Sequence, residues 1–120
     1  MISFKDVTKA YAPDIDALNK VSFNINDGEF VFLVGPSGAG KSTIARLLLR
    51  TILPTSGDIK FNNVDVVNMK PGMIPSYRQQ FGIVFQDDKL LESKTVRENI
   101  EFALEITGKT DKEIKDTKNI

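Results

Sequence analysis

The nine residues Gly35-Pro36-Ser37-Gly38-Ala39-Gly40-Lys41-Ser42-Thr43 constrain this chain more than any other stretch of its sequence. Gly35, four residues and then Gly40-Lys41-Ser42 fit the pattern GxxxxGK(S/T), in which each position has a physical task. Glycine lets the backbone turn tightly and approach phosphate oxygens with no Cβ in the way. Successive N–H groups from Ser37 to Ser42 are expected to form an anion nest, completed by the positive end of the helix that follows. Lys41 offers a mobile cation to the β- and γ-phosphates, Ser42 a hydroxyl to Mg²⁺, and Thr43 can reach the α-phosphate. The flanks supply the context that the motif needs. Phe30-Val31-Phe32-Leu33-Val34 is an unbroken apolar run, as a strand buried on both faces requires. After the loop, Ile44, Leu47, Leu48 and Ile52 recur at helical spacing, with Pro54 just past the end. The stretch predicts a site for a nucleoside triphosphate with Mg²⁺.

Elsewhere the pattern predicts more strands than helices. Ile2, Phe4 and Val7 alternate with polar residues, a turn follows at 12–16, and Leu18, Val21, Phe23 and Ile25 resume the alternation. These two runs are expected to pair antiparallel. The stretch 58–67 also looks like a strand, residues 71–80 like a loop and a short helix, and Phe81–Phe85 like a second buried strand. Val96, Ile100, Phe102, Ala103 and Ile106 have helical spacing, with Thr95 as N-cap, Glu98 as its capping-box partner and Gly108 as terminator. A further helical start is expected at Thr110.

Composition removes several function classes. Sixteen basic and sixteen acidic residues give zero formal net charge, which leaves no whole-domain argument for nucleic-acid binding. There is no Cys and no His, so this chain has no Cys/His zinc site, disulfide, thiol chemistry or histidine acid–base catalysis. No apolar run approaches the length of a membrane span, so a cytoplasmic location is expected and any membrane connection would come through a partner. A length of 120 residues suggests a single core.

Three classes of phosphate-loop protein compete. A GTPase needs an Asn-Lys-x-Asp guanine reader, but Asn19-Lys20 is followed by Val21-Ser22, and no Asp stands three residues before a Gly. A small-molecule kinase stays open, although about thirty residues of strand precede the loop here. The third class is a transporter-type ATPase. The segments "FKDVTKAY", "VSFNINDGEFVFLVGPSGAGKST", "PTSGDIKFNNVDV" and "GIVFQ" together resemble the amino-terminal half of an ABC-type ATPase.

That resemblance implies an α/β P-loop fold with an amino-terminal antiparallel β subdomain. Residues 1–34 would form the antiparallel portion leading into the core strand, and 35–56 the phosphate loop and its helix. Residues 57–94 would carry strands and the lid-glutamine loop, and 95–120 the start of a helical subdomain. Tyr11 would stack on adenine, while Gln86 would meet Mg²⁺, beside Ser42, and the attacking water. The catalytic pair would be Lys41 and Gln86, and the cofactors ATP and Mg²⁺. Asp87 and Asp88 follow an apolar run but read as solvated loop carboxylates. Within the family, "GIVFQDDKLLESKTVRENI" is most similar to the cell-division branch, which works with an integral membrane permease of the FtsX type. Lipoprotein-release and macrolide-export branches, a nucleotide-gated scaffolding role and the kinase are the alternatives. The full-length protein is then expected to hydrolyse ATP as a nucleotide-sandwich homodimer, peripheral on the inner face of the cell membrane.

The family's later elements, an LSGGQ-like signature, a second buried strand ending in Asp-Glu and a switch histidine, do not occur in these residues. A whole domain of this type would be roughly twice as long. The 120 residues are therefore expected to bind nucleotide weakly and not to sustain turnover.

Overall fold

Alternation in the first twenty-five residues produces the expected antiparallel pair, β1 (Ile2–Ala12) and β2 (Ile15–Ile25). The computed structural model describes residues 1–87, 89–110 and 112–114. The remaining elements are α1 (Lys41–Leu48), β3 (Ser56–Phe61), β4 (Val64–Asp65), a 3-10 turn at Pro71–Met73, α2 (Ile74–Arg78) and α3 (Val96–Ile106). The four strands form one sheet in the order β2-β1-β3-β4, antiparallel throughout. Contacts divide the chain into two compact units, Met1–Phe81 and Gly82–Ile120.

In the first unit one face of the sheet is apolar because every second residue is. Phe4, Val7, Leu18 and Ile59 from the strands are buried together with Leu47 of α1 and with Val66, Met69 and Tyr77. Phe4 sits opposite Phe23 on one side and Ile59 on the other, and its ring stacks on Phe23 at 4.6 Å. Phe61, Tyr77 and Phe81 close the far side as a trio of rings with centroids 4.8–5.7 Å apart. β1 is irregular, with Asp6 at φ 49 and register shifts beyond Phe4. Two side-chain hydroxyls replace ladder partners there: Asp6 N–H donates to Ser22 Oγ (2.8 Å) and Lys20 N–H to Thr8 Oγ1 (3.1 Å). The distorted strand presses on Gly57, where a Cβ would lie 2.4 Å from Asp6 O.

Three expectations about elements are corrected. Phe30–Val34 is not a buried strand: Phe30 and Val34 are 85% exposed and Phe32 77%. Phe81–Phe85 is not a strand either, and Val84 is fully exposed. Both have the composition of interior strands. A strand's N–H and C=O groups need neighbours, however, and no described strand pairs with either segment. The run 58–67 is two strands rather than one. Asn62 and Asn63 both take positive φ (47 and 65), the geometry of a tight two-residue hairpin turn.

α1 is also shorter than its apolar spacing suggests. Arg50 adopts φ 58, Thr51 N–H reaches back to Arg46 O and Arg50 N–H to Leu47 O, both at 3.0 Å. This is a Schellman ending with arginine where glycine is usual. Thr51 and Ile52 therefore fall outside the helix.

The second unit is built on α3. Thr95 caps it as expected: its hydroxyl accepts from Glu98 N–H (3.3 Å), and Glu98 Oε2 accepts from Thr95 N–H (2.7 Å). The side chain of Asn99 fastens the preceding loop, accepting from Leu91 N–H (2.7 Å) and donating to Thr95 O (3.0 Å). The helical start at Thr110 repeats the box, with Glu113 Oε2 2.8 Å from Thr110 N.

Candidate functional site

The loop 35–43 turns twice through left-handed glycines. Gly38 has φ 80 and Gly40 φ 88, and Ala39 N–H donates to Pro36 O at 3.2 Å between them. The two glycines are needed for different reasons. Around Gly38 a Cβ would meet nothing within 4 Å, so only its φ demands glycine. At Gly40 a Cβ would lie 2.3 Å from Ala17 O and 2.8 Å from Leu18 Cδ2, so the loop is laid directly against β2.

Gly40 is also the N-cap of α1, and no side chain caps that helix. The first N–H groups of a helix have no intrahelical partner. An uncapped amino terminus behind a glycine loop presents those donors and the positive end of the helix dipole to an anion. Lys41 opens the helix, and its Nζ folds back to donate to Gly35 O and Pro36 O, both at 2.6 Å. The ammonium thus rests on the loop's own carbonyls. Ser42 is exposed beside it and Thr43 is buried.

Tyr11, at the end of β1, joins this group. Its hydroxyl lies 3.4 Å from Thr43 Oγ1, while the residue stays half exposed (51%). The Thr43 hydroxyl, followed by Arg46, holds the Tyr11 phenol below its usual pKa. Lys9 Nζ stands 5.2 Å from the ring centroid. The first unit therefore gathers Tyr11 with all nine residues from Gly35 to Thr43. Gln86 belongs to the second unit, as an exposed residue in a bend after Phe85. Asp87 is exposed and paired with Lys89 (2.5 Å), which holds its carboxyl below the usual range, as suits a solvated loop residue. Asp88 lies outside the described residues.

Two neighbours of the site escaped the motif reading. Lys9 shares the strand face of Tyr11, two residues away, and Arg46 follows Thr43 by one helical turn. Strand and helix periodicity carried both signals. Among the described residues no three carboxylates, histidines or cysteines gather as a metal cluster, and no helix is long and apolar enough to cross a membrane.

Comparison with known proteins sets this geometry in context. A family model described as ABC transporter matches residues 18–119. The cell division ATP-binding protein FtsE of Bacillus subtilis (strain 168) is 49% identical over 115 residues, which is 96% of this chain and 50% of that protein. FtsE of Mycobacterium tuberculosis is 48% identical, covering 91% of this chain and 48% of its own. For FtsE of Escherichia coli K12 the figures are 40%, 96% and 52%. The chain thus spans about half the length of the curated relatives it matches. Among solved structures, a dimeric ATP-binding cassette in a post-hydrolysis state bound to ADP and Pi superposes with a TM-score of 0.82 at 32% identity. That match covers 97% of this chain and 53% of the other.

Proposed function

Because the chain belongs to the ABC transporter family, we propose that it is the nucleotide-binding part of an ATP-driven, membrane-associated assembly, with MgATP held at residues 35–43. The observation that carries this reading is the cradle itself: an uncapped helix start, Gly40 packed against β2, and the Lys41 ammonium resting on the loop carbonyls. These residues fit a triphosphate. The loop amides and the dipole of α1 suit the phosphate oxygens, and Lys41 exchanges two carbonyl partners for charged ones, which form stronger hydrogen bonds.

The half-exposed Tyr11 ring supplies a base-stacking platform. By likeness to the family, Ser42 of the first unit and Gln86 of the second would each be Mg²⁺ ligands, and the metal would supply neutralisation of phosphate charge. The neutral Gln86 amide, beside the metal, would also orient the attacking water. Since phosphoryl transfer is mostly positioning and charge stabilisation, these residues would supply part of a composite site. A second subunit would supply the rest, as a nucleotide-sandwich homodimer.

Identity of 40–49% with FtsE proteins supports the cell-division branch. An FtsX-type integral membrane permease as partner and a place on the inner face of the cell membrane are proposed with it. Hydrolysis is assigned to the full-length protein, and the 120-residue span is expected to bind nucleotide weakly and without sustained turnover. Steady-state ATPase measurements test this division. ATP turnover by the full-length protein that is lost in Lys41→Ala supports it. Lys41-dependent turnover by the 120-residue chain at the rate of a complete homologue contradicts it. A phosphorylated small-molecule acceptor found by mass spectrometry would favour a kinase instead.

A further inference from the structure

The amino terminus of α1 forms the cradle, and its carboxyl terminus is held with unusual completeness. The last four carbonyls of a helix have no intrahelical donors. Here every carbonyl from Ala45 to Arg50 has a donor. Leu49 N–H donates to Ala45 O (2.9 Å), Thr51 N–H and Oγ1 to Arg46 O (3.0 Å each), and Arg50 N–H to Leu47 O (3.0 Å). The other three are served by α2: the Tyr77 hydroxyl donates to Leu48 O, Arg78 Nε to Leu49 O (2.9 Å) and an Arg78 terminal nitrogen to Arg50 O (2.8 Å).

Arg50 locks the joint from the other side. It occupies a left-handed conformation that glycine adopts without strain, and its guanidinium donates to Val66 O (3.0 Å) and Val67 O (3.1 Å). Two cations therefore stand at the negative end of the helix whose positive end faces the phosphate site. An eight-residue helix is only about 12 Å long. Fixing one end of so short a rod fixes the direction in which its other end points.

We propose that Arg78, with Arg50, acts as a positioning residue for the phosphate cradle, clamping the carboxyl end of α1 so that its amino-terminal donors are pre-aimed. This rests on the reading of residues 35–43 as a nucleotide site. Arg78 touches no reacting group, and its effect passes through the helix. Pre-aimed donors lower the ordering cost of binding.

The test compares wild type, Arg78→Ala, Arg78→Lys, Arg50→Gly and Lys41→Ala by MgATP titration and by amide hydrogen exchange without nucleotide. Measurements are made well below the unfolding midpoint, where every variant is shown to be folded. Arg78→Ala is expected to bind MgATP about fivefold more weakly, with faster exchange concentrated at residues 41–51. Arg78→Lys keeps the charge but replaces the planar fork, which serves Leu49 O and Arg50 O from two separate nitrogens, with a single ammonium, so it recovers part of the loss. Arg50→Gly relieves the backbone and removes the guanidinium, and it too is expected to weaken binding. A folded Arg78→Ala variant with wild-type affinity overturns the proposal, as does faster exchange spread evenly over the sheet. Wild-type chain whose MgATP affinity is unchanged in Lys41→Ala overturns the nucleotide-site reading first, and the proposal with it.

Discussion

Tyr11 Oη and Thr43 Oγ1 stand 3.4 Å apart, which ties the end of β1 to the first turn of the helix behind the glycine loop. At that length the hydrogen bond is weak, and the useful part of Tyr11 is its half-exposed ring. Tyr11→Phe is therefore predicted to keep MgATP affinity within about twofold of wild type, whereas Tyr11→Ala weakens it by about tenfold, since stacking of one base is worth about 1–3 kcal/mol. Competition titration against a fluorescent ATP analogue separates the two. Equal losses in both variants would place the contribution on the hydroxyl instead.

The two left-handed glycines of the loop are predicted to differ in cost. Gly40→Ala combines an unfavourable φ with a Cβ only 2.3 Å from Ala17 O, and should destabilise the first unit by about 3 kcal/mol. Gly38→Ala has the same conformational penalty but open space around it, and should cost about 1 kcal/mol. Urea unfolding of both variants gives the comparison, and similar midpoints would contradict the packing of the loop on β2.

Acid should loosen the amino-terminal turn of α3. The backbone N–H of Thr95, then its hydroxyl, holds the Glu98 carboxyl below its usual value. A carboxylate with a lowered folded-state pKa stabilises the helix above its unfolded pKa, and that contribution fades as pH falls through the folded value. Protection of the α3 amides, measured relative to their intrinsic exchange rate at each pH, is predicted to fall as the solution is acidified below the usual glutamate range, while Glu98→Gln, which keeps an acceptor but does not titrate, shows a flatter response. A Glu98→Gln profile parallel to wild type would assign the acid sensitivity elsewhere.

How much of this could be read from the sequence depends on how far each interaction reaches along the chain. The capping box at Thr95 and Glu98 spans three residues, and it forms as expected. The glycine loop is equally local, and the tight turns its glycines allow are present at Gly38 and Gly40. Asn62-Asn63 carried a turn signal that the surrounding alternation concealed, because a hairpin keeps the strand period on both sides. Phe30–Val34 shows the opposite limit. Its composition suits an interior strand, but strands exist only in pairs, and no described strand pairs with it. The Arg78 clamp on Leu49 and Arg50 joins residues 28 and 29 positions apart, beyond any periodicity.

The central claim is that Gly35–Thr43 is a triphosphate cradle whose cation is Lys41. Calorimetric titration of MgATP and of adenosine into wild type and Lys41→Ala tests it most directly. Saturable one-site binding of MgATP is predicted, at least about tenfold weaker in Lys41→Ala, with adenosine bound far more weakly than ATP by wild type. Equal affinity for ATP and adenosine, or an affinity unchanged by Lys41→Ala, would contradict it.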